Sequence, residues 1–156
     1  MIIRTQGRPL FAIAYGILQN REEAEDAVQD ALVKAWKSRW RVRDPEKFPA
    51  WLCMITRHRA RDVFRKRRTV PLLEIPETAG TETTDTTALD RQLHSALAEL
   101  PELHRAALSL RYFEEMEYAT IENRLGLSNG SLRGILGRAL ATMRKQLKPA
   151  LASQQP

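Results

Sequence analysis

The segment between Tyr118 and Leu147 constrains the fold most, because two helical patterns meet there across a short turn. The first pattern spaces apolar residues at helical intervals: Tyr118, Ile121 and Leu125. Gly126 interrupts it, and Ser128 is the predicted N-cap of a second helix. The second pattern has the same spacing: Leu132, Leu136, Ala139, Leu140, Met143 and Leu147. Together they predict a helix-turn-helix.

The second of these helices is basic. Between Ser128 and Lys148 the chain has five basic residues and no acidic one. A basic second helix suits the major groove of DNA. An ordinary helical hairpin with a solvated face has the same pattern, so this motif alone leaves the function open.

Length and composition extend the helical prediction to the whole chain. Its 156 residues, 43% of them hydrophobic, are enough for one ordinary domain or two small ones. The net charge of +6 favours a polyanionic partner. This charge is local: residues 34–68 contain thirteen Lys or Arg and three acidic residues, whereas residues 69–88 contain four acidic residues and no basic one.

The acidic segment from Thr69 to Ala88 is rich in Thr, Pro, Glu and Gly, which is typical of a linker. We therefore expect an all-α protein with two small helical domains, residues 1–68 and 89–150, joined by a flexible linker at 69–88. A first helix is expected around Leu10 to Ile17. Further helices are expected near 20–40, 49–68, 89–99, 102–114, 117–124 and 129–147. Their starts carry recognisable signals: Asn20 with Glu23, Asp44 with Pro45, and Pro101.

Several classes of protein do not fit the sequence. The single cysteine, Cys53, excludes an internal disulfide and a cysteine-rich metal site, and we expect it in the core. No apolar run approaches the roughly 18 to 20 residues of a membrane span, and the start lacks a signal-peptide pattern, which predicts a cytoplasmic protein. No phosphate-binding loop or nucleophile with a base is evident, and the three histidines are scattered: His58, His94 and His104. We expect no enzymatic activity, cofactor or metal.

The predicted second helix has two different faces. Its inward residues are small or apolar: Ala24, Ala27, Val28, Ala31, Leu32, Ala35 and Trp36. Its outward face carries Asp26, Gln29, Asp30 and Lys34, and the first three are hydrogen-bond acceptors on one ridge. Such a ridge can receive Arg or Lys from a partner protein, although many acidic ridges are only solvated.

Cations alternate with aromatic residues from Trp36 to Arg68, a mixture that suits single-stranded nucleic acid. By spacing, Trp36, Phe48 and Trp51 are expected in the core, whereas the spacing leaves the position of Trp40 open. A phosphate-binding stripe is predicted on the third helix: Arg57, His58, Arg61, Arg65 and Lys66.

These motifs resemble those of a known family. The run from Asn20 to Trp36, the segment Phe48-Pro-Ala-Trp-Leu52 and the run from Ile55 to Asp62 are similar to region 2 of sigma factors. The run from Leu97 to Phe113, followed by the helix-turn-helix, is similar to region 4. The chain thus resembles the extracytoplasmic-function (ECF) sigma factors, the dissociable promoter-specificity subunits of bacterial RNA polymerase.

The resemblance implies three sets of functional residues. Asp26, Gln29 and Asp30 match the motif that docks on the clamp helices of the largest polymerase subunit, with Asp in place of Glu at position 30. The set implied for melting the minus-ten element and holding its non-template strand is Trp40, Arg41, Lys47, Arg57, His58, Arg61, Arg65 and Lys66. His58 stands where the family usually has Asn. The set implied for reading the duplex minus-thirty-five element in the major groove is Asn129, Ser131, Arg133 and Arg138.

The last helix departs from the family pattern. Gly134, Ile135 and Gly137 stand where Ser, Arg and His are more frequent. Each interior glycine costs roughly 1 kcal/mol relative to alanine, so we expect this helix to depend on DNA or polymerase for full order. Glu122 replaces the small residue that usually lets the two helices of the motif approach each other.

Two other functions stay open at this level. A sigma-like decoy that binds an anti-sigma factor, a known partner of this group, would explain the weakened last helix. A stand-alone helix-turn-helix regulator would explain the basic helix, but it leaves the ridge at Asp26, Gln29 and Asp30 without a role.

Overall fold

The computed structural model describes residues 2–69 and 87–152, and these residues form helices joined by short turns. The first half contains α1 (Ile2–Leu18), α2 (Arg21–Lys37) and α3 (Phe48–Thr69), with 3-10 turns at Arg39–Arg41 and Pro45–Lys47. The second half contains α4 (Ala88–Ala98), α5 (Glu102–Leu108), a π-helical turn (Ser109–Phe113), α6 (Tyr118–Leu125) and α7 (Ser131–Ala152). The all-α prediction is confirmed. Most of the predicted linker, residues 70–86, lies outside the described residues.

Side-chain caps fix several helix starts. Asn20 Oδ1 accepts a hydrogen bond from the Glu23 amide at 3.0 Å, so the predicted cap of α2 is present. The Glu23 carboxylate pairs with Arg67 on α3. Asp44 Oδ1 likewise accepts from the Glu46 amide at 3.0 Å. These caps set where α2 starts and how the turn before α3 is shaped, and the candidate site lies on these elements.

The first three helices pack around a core lined by small residues of α2. Its fully buried positions are alanines: Ala24, Ala27, Ala31 and Ala35. Phe48 and Trp51 pack against this core with ring centroids 5.6 Å apart, and Cys53 is completely buried. The prediction that Trp36 is a core residue is wrong, because its side chain is 67% exposed. Trp36 lies one position beyond the alanine line, and the helical step of about 100° per residue turns it toward solvent.

The two halves share a continuous hydrophobic core. Gly16 of α1 lies so close to α5 that an added Cβ would be 3.3 Å from the Ala106 nitrogen. At the same crossing, Arg105 Nε donates a hydrogen bond to the Gly16 carbonyl at 2.5 Å. The halves therefore pack as one body across the described residues.

Candidate polymerase and DNA interfaces

The predicted docking ridge lies on the exposed face of α2. The side chains of Asp26, Gln29 and Asp30 are all exposed, as the helical spacing predicts. Asp30 Oδ2 accepts from Arg59 of α3, with distances of 2.9 Å to Nε and 2.8 Å to Nη2. The ridge therefore contains one carboxylate that already has a partner and two acceptors, Asp26 and Gln29, beside it.

An apolar extension of this ridge was missed from the sequence. Val33 and Trp36 follow Gln29 by four and seven residues, which places all three on one line of the helix. Val33 is 54% exposed and Trp36 67% exposed. The Arg39 guanidinium lies 4.1 Å from the centroid of the Trp36 ring and donates to the Trp36 carbonyl at 2.7 Å. The spacing from Gln29 is the signal that would have identified this extension.

Most of the predicted minus-ten set is exposed. Trp40 and Arg41 lie in the first 3-10 turn, and Trp40 is 70% exposed. Lys47 ends the second 3-10 turn. His58, Arg65 and Lys66 complete the exposed group on α3. This arrangement combines an accessible indole with nearby cations, the two features that single-stranded nucleic acid requires.

Two members of the same set contact the second half of the chain. Arg57 Nη1 donates to the carbonyl of Leu125 at 2.8 Å. Arg61 pairs with Glu102, with its Nε at 2.8 Å and its Nη2 at 2.5 Å from Oε1. Burial is the main cause that lowers the pKa of Arg57, and the Arg61 charge adds to it. Both guanidiniums therefore have hydrogen-bond partners in the second half of the chain.

The helix-turn-helix is present, but its second helix starts differently from the prediction. Gly126 and Gly130 adopt left-handed conformations, with φ of +65° and +84°. The helix α7 starts at Ser131, and the Ser131 amide donates to the Ser128 carbonyl at 3.1 Å. The expected side-chain cap by Ser128 is therefore wrong. Glu122 of α6 acts instead, since its Oε1 accepts from the Gly130 amide at 2.8 Å.

The predicted reading residues lie together at the start of α7. Asn129, Arg133 and Arg138 are exposed, and Ser131 is half-buried. Ile135, which stands where the family more often has Arg, is buried in the core. The solvent face of this part of α7 therefore consists of two arginines with Gly134 and Gly137 between them.

The described residues contain no group of three or more His, Cys, Asp or Glu side chains arranged to hold a metal. No helix among them is long and apolar enough to cross a membrane. Of the three histidines, His104 has a lowered pKa, chiefly because of burial and also because of the Arg138 charge.

Comparison with known proteins decides the family. Residues 2–70 match the model of sigma-70 region 2, and residues 90–143 match that of sigma-70 region 4. RNA polymerase sigma factor SigV of Bacillus subtilis is 31% identical over 139 residues, which cover 88% of this chain and 83% of SigV. The ECF RNA polymerase sigma factor SigL of Mycobacterium tuberculosis is 30% identical, over 89% of this chain and 82% of SigL. The chain belongs to the ECF sigma factors.

A solved structure agrees with this membership. The sigma factor RpoE of Bartonella quintana, in complex with the anti-sigma factor NepR, matches with a TM-score of 0.70. The match covers 94% of each chain at 25% sequence identity. As a sigma factor, this chain directs RNA polymerase in transcription initiation, and neither the decoy nor the stand-alone regulator is favoured.

Proposed function

We propose that this sigma factor docks on the polymerase through the exposed face of α2. The supporting observation is the exposed ridge of Asp26, Gln29 and Asp30, whose acceptors suit basic residues of the clamp helices. Val33 and Trp36 extend this ridge as an apolar strip. Aromatic residues at the centre of an interface contribute much of its binding energy, so Trp36 is assigned to the same contact.

Promoter melting is assigned to residues 1–68. Trp40 stacks on an unpaired base, and His58 contacts a neighbouring base by stacking or hydrogen bonding. Four cations bind the phosphates of the non-template strand: Arg41, Lys47, Arg65 and Lys66. After the halves separate, Arg57 and Arg61 join them. Separation supplies two further phosphate contacts, and the residues 69–88 connect the halves when they part.

Duplex reading is assigned to residues 89–150. Four residues at or near the start of α7 enter the major groove at the minus-thirty-five element: Asn129, Ser131, Arg133 and Arg138. A bidentate Arg–guanine contact discriminates by roughly 1 to 3 kcal/mol, whereas Arg on phosphate adds affinity without sequence choice. The sigma factor itself performs no catalysis in this proposal, because the polymerase supplies the active site. It acts in the cytoplasm, where the polymerase and the promoters are.

Run-off transcription with core polymerase on a genomic promoter library tests this assignment. The test variant, Asp26→Ala/Gln29→Ala/Asp30→Ala, removes the ridge and two negative charges. A matched control, Glu46→Ala/Glu117→Ala, removes two exposed carboxylates that lie off α2. We expect specific transcripts from the natural chain and the control and none from the ridge variant.

Two results would overturn the proposal. Equal transcription by the ridge variant would remove the docking role of α2. Absence of transcripts from the natural chain, despite stable binding to core polymerase or an anti-sigma factor, would favour the decoy. The upstream sequences of the transcripts identify the promoter elements.

A further inference from the structure

Glu122 is a buried carboxylate inside the helix-turn-helix. Its side chain is on the inner face of α6, and the residue is only 8% exposed. Among the described residues, Thr56 is the other buried polar side chain. A carboxylate removed from water is costly unless hydrogen bonds compensate for the lost hydration, so its partners indicate why it is there.

Those partners are the backbone amides at the start of α7. Glu122 Oε1 accepts from the Gly130 amide at 2.8 Å and from the Leu132 amide at 3.4 Å. The backbone carbonyl of Glu122 also accepts from the Leu127 amide at 2.8 Å. One residue of α6 therefore holds both the turn and the first amides of α7. Its negative charge lies at the positive end of the helix dipole, where it is stabilised.

The start of α7 needs such support. Gly130 precedes the helix in a left-handed conformation, and Gly134 and Gly137 follow within two turns. Glycine favours the unfolded chain by entropy, so this part of α7 is intrinsically weak. The residues assigned to DNA reading, Asn129, Ser131 and Arg133, lie on this same weak segment. The hydrogen bonds that fix the turn before α7 therefore determine where these residues lie relative to the major groove of DNA.

A second contact to the same turn comes from the other half of the chain. Arg57 donates to the carbonyl of Leu125, the last residue of α6. If Arg57 binds promoter phosphates instead, this contact is lost. The hydrogen bonds of Glu122 lie wholly within the second half and persist after the halves separate.

We propose that Glu122 is the positioning residue of the helix-turn-helix. Its carboxylate fixes the turn and the first amides of α7, and thereby sets the register in which Asn129, Ser131 and Arg133 face duplex DNA. This inference rests on the proposed role of residues 89–150 in reading duplex DNA. It assigns a function to the departure from a small residue at this position, since the cap compensates for the glycines of α7.

The experiment compares Glu122→Ala with Glu122→Gln in the full chain. Gln keeps an oxygen acceptor and removes the charge, whereas Ala removes the acceptor as well. The first readout is the hydrogen-exchange rate of the Gly130 and Leu132 amides in the free protein, measured by NMR. The second is the affinity of the holoenzyme for a duplex carrying the minus-thirty-five element mapped by run-off transcription, at fixed salt. A forked minus-ten probe, bound by the same holoenzyme, serves as the internal control.

We expect Glu122→Ala to accelerate exchange of both amides and to weaken duplex binding about tenfold, as the loss of a helix cap predicts. Minus-ten binding stays unchanged, and Glu122→Gln, which keeps the acceptor but loses the charge, lies between the natural chain and Glu122→Ala in amide protection and duplex affinity. Unchanged exchange in Glu122→Ala would overturn the proposed hydrogen bonds, whatever the DNA results. Changed exchange with unchanged duplex affinity would overturn the positioning role alone.

If Glu122→Ala alone unfolds the protein, the comparison can be made in a chain that is stabilised by a second substitution, Gly137→Ala. Gly137 has open space where a Cβ would lie and a φ outside the left-handed region, so Gly137→Ala strengthens α7 without a clash. Glu122→Ala is then compared with the natural Glu122 in this background. If the two bind the duplex equally and protect both amides equally, the proposal fails. If neither natural chain nor variants bind any promoter duplex while the amides respond as expected, the proposed DNA function fails and the cap stands.

Discussion

Arg57 on α3 donates a hydrogen bond to the carbonyl of Leu125 at the end of α6, 2.8 Å away and 68 residues along the chain. This bond joins a residue assigned to minus-ten DNA with the turn that presents the duplex-reading helix. While this bond exists, Arg57 Nη1 is occupied by the Leu125 carbonyl. In the proposed function, packing of the halves and promoter binding therefore compete for the same guanidinium.

The Arg61–Glu102 pair provides a test of this competition. Glu102→Gln removes the carboxylate charge that holds Arg61 to the second half. Because both side chains are about one-third exposed, we expect a loss of about 0.5 to 1 kcal/mol from the packing of the halves. Small-angle scattering should show a larger radius of gyration, and the minus-ten probe should bind faster.

Glu99 offers a matched control for that change. Its Oε2 accepts from Gln146, so its contact stays within the second half. Glu99→Gln should leave both the radius of gyration and the binding rate unchanged. An equal effect of both variants would show that net charge, not the contact between the halves, is responsible.

The lowered pKa of His104 predicts that the stability of the folded chain depends on pH. Burial and the Arg138 charge lower the pKa of His104 in the folded chain from its ordinary value of 6.5. As the pH falls through about 6.5, the unfolded chain takes up a proton before the folded chain does, so the free energy of unfolding decreases. His104→Gln should therefore flatten the loss of stability between about pH 7 and pH 5.

Denaturant unfolding at several pH values measures this slope. Exposed His94 is the control position, and His94→Gln should retain the slope of the natural chain. If His104→Gln keeps that slope as well, protonation of His104 does not contribute to acid destabilisation.

Helical periodicity accounts for what the sequence predicted well. The alternation of buried alanines with Asp26, Gln29 and Asp30 on α2 follows from a repeat of about 3.6 residues, and it requires no knowledge of tertiary contacts. Trp36 was misplaced because its large apolar side chain outweighed its angular position on the helix. Composition favoured burial, whereas helix geometry placed the indole on the exposed face of α2.

Tertiary contacts account for what the sequence could not predict. The partners of Arg57 and Arg61 lie on the other half of the chain, and nothing local to α3 indicates them. The role of Glu122 depends on the left-handed turn at Gly126 and Gly130, which brings the α7 amides to its carboxylate. Glu122, which replaces a small residue of the family pattern, thus accepts hydrogen bonds from the start of the next helix.

Two glycine-to-alanine substitutions in the second half should change the free energy of unfolding in opposite directions. Gly137→Ala should raise the free energy of unfolding by about 1 kcal/mol, because an added Cβ meets no atom within 4 Å. Gly126→Ala should lower it by roughly 1 to 2 kcal/mol, because φ is +65° there. Urea denaturation measures both changes. Stabilisation by Gly126→Ala would contradict the left-handed turn between α6 and α7.

The two exposed indoles, Trp36 and Trp40, allow the proposed polymerase contact to be tested separately from the proposed DNA contact. Trp36→Ala should weaken core-polymerase binding about tenfold, as expected for an aromatic anchor of an interface. Its effect on stability should be small, since the side chain is 67% exposed. Trp40→Ala should leave polymerase binding intact and weaken binding of the melted minus-ten strand by about 1 to 3 kcal/mol, the contribution of one stacked base.

Fluorescence titration with core polymerase, followed by titration of the holoenzyme with single-stranded non-template oligonucleotide, measures both affinities for each variant. The indoles lie only four residues apart, so a general disturbance of the end of α2 would affect both measurements in both variants. If instead Trp36→Ala weakens only polymerase binding and Trp40→Ala weakens only oligonucleotide binding, the two ligands bind to different surfaces. That result would mean that α2 ends in the polymerase contact at Trp36 and that the nucleic-acid surface begins at Trp40.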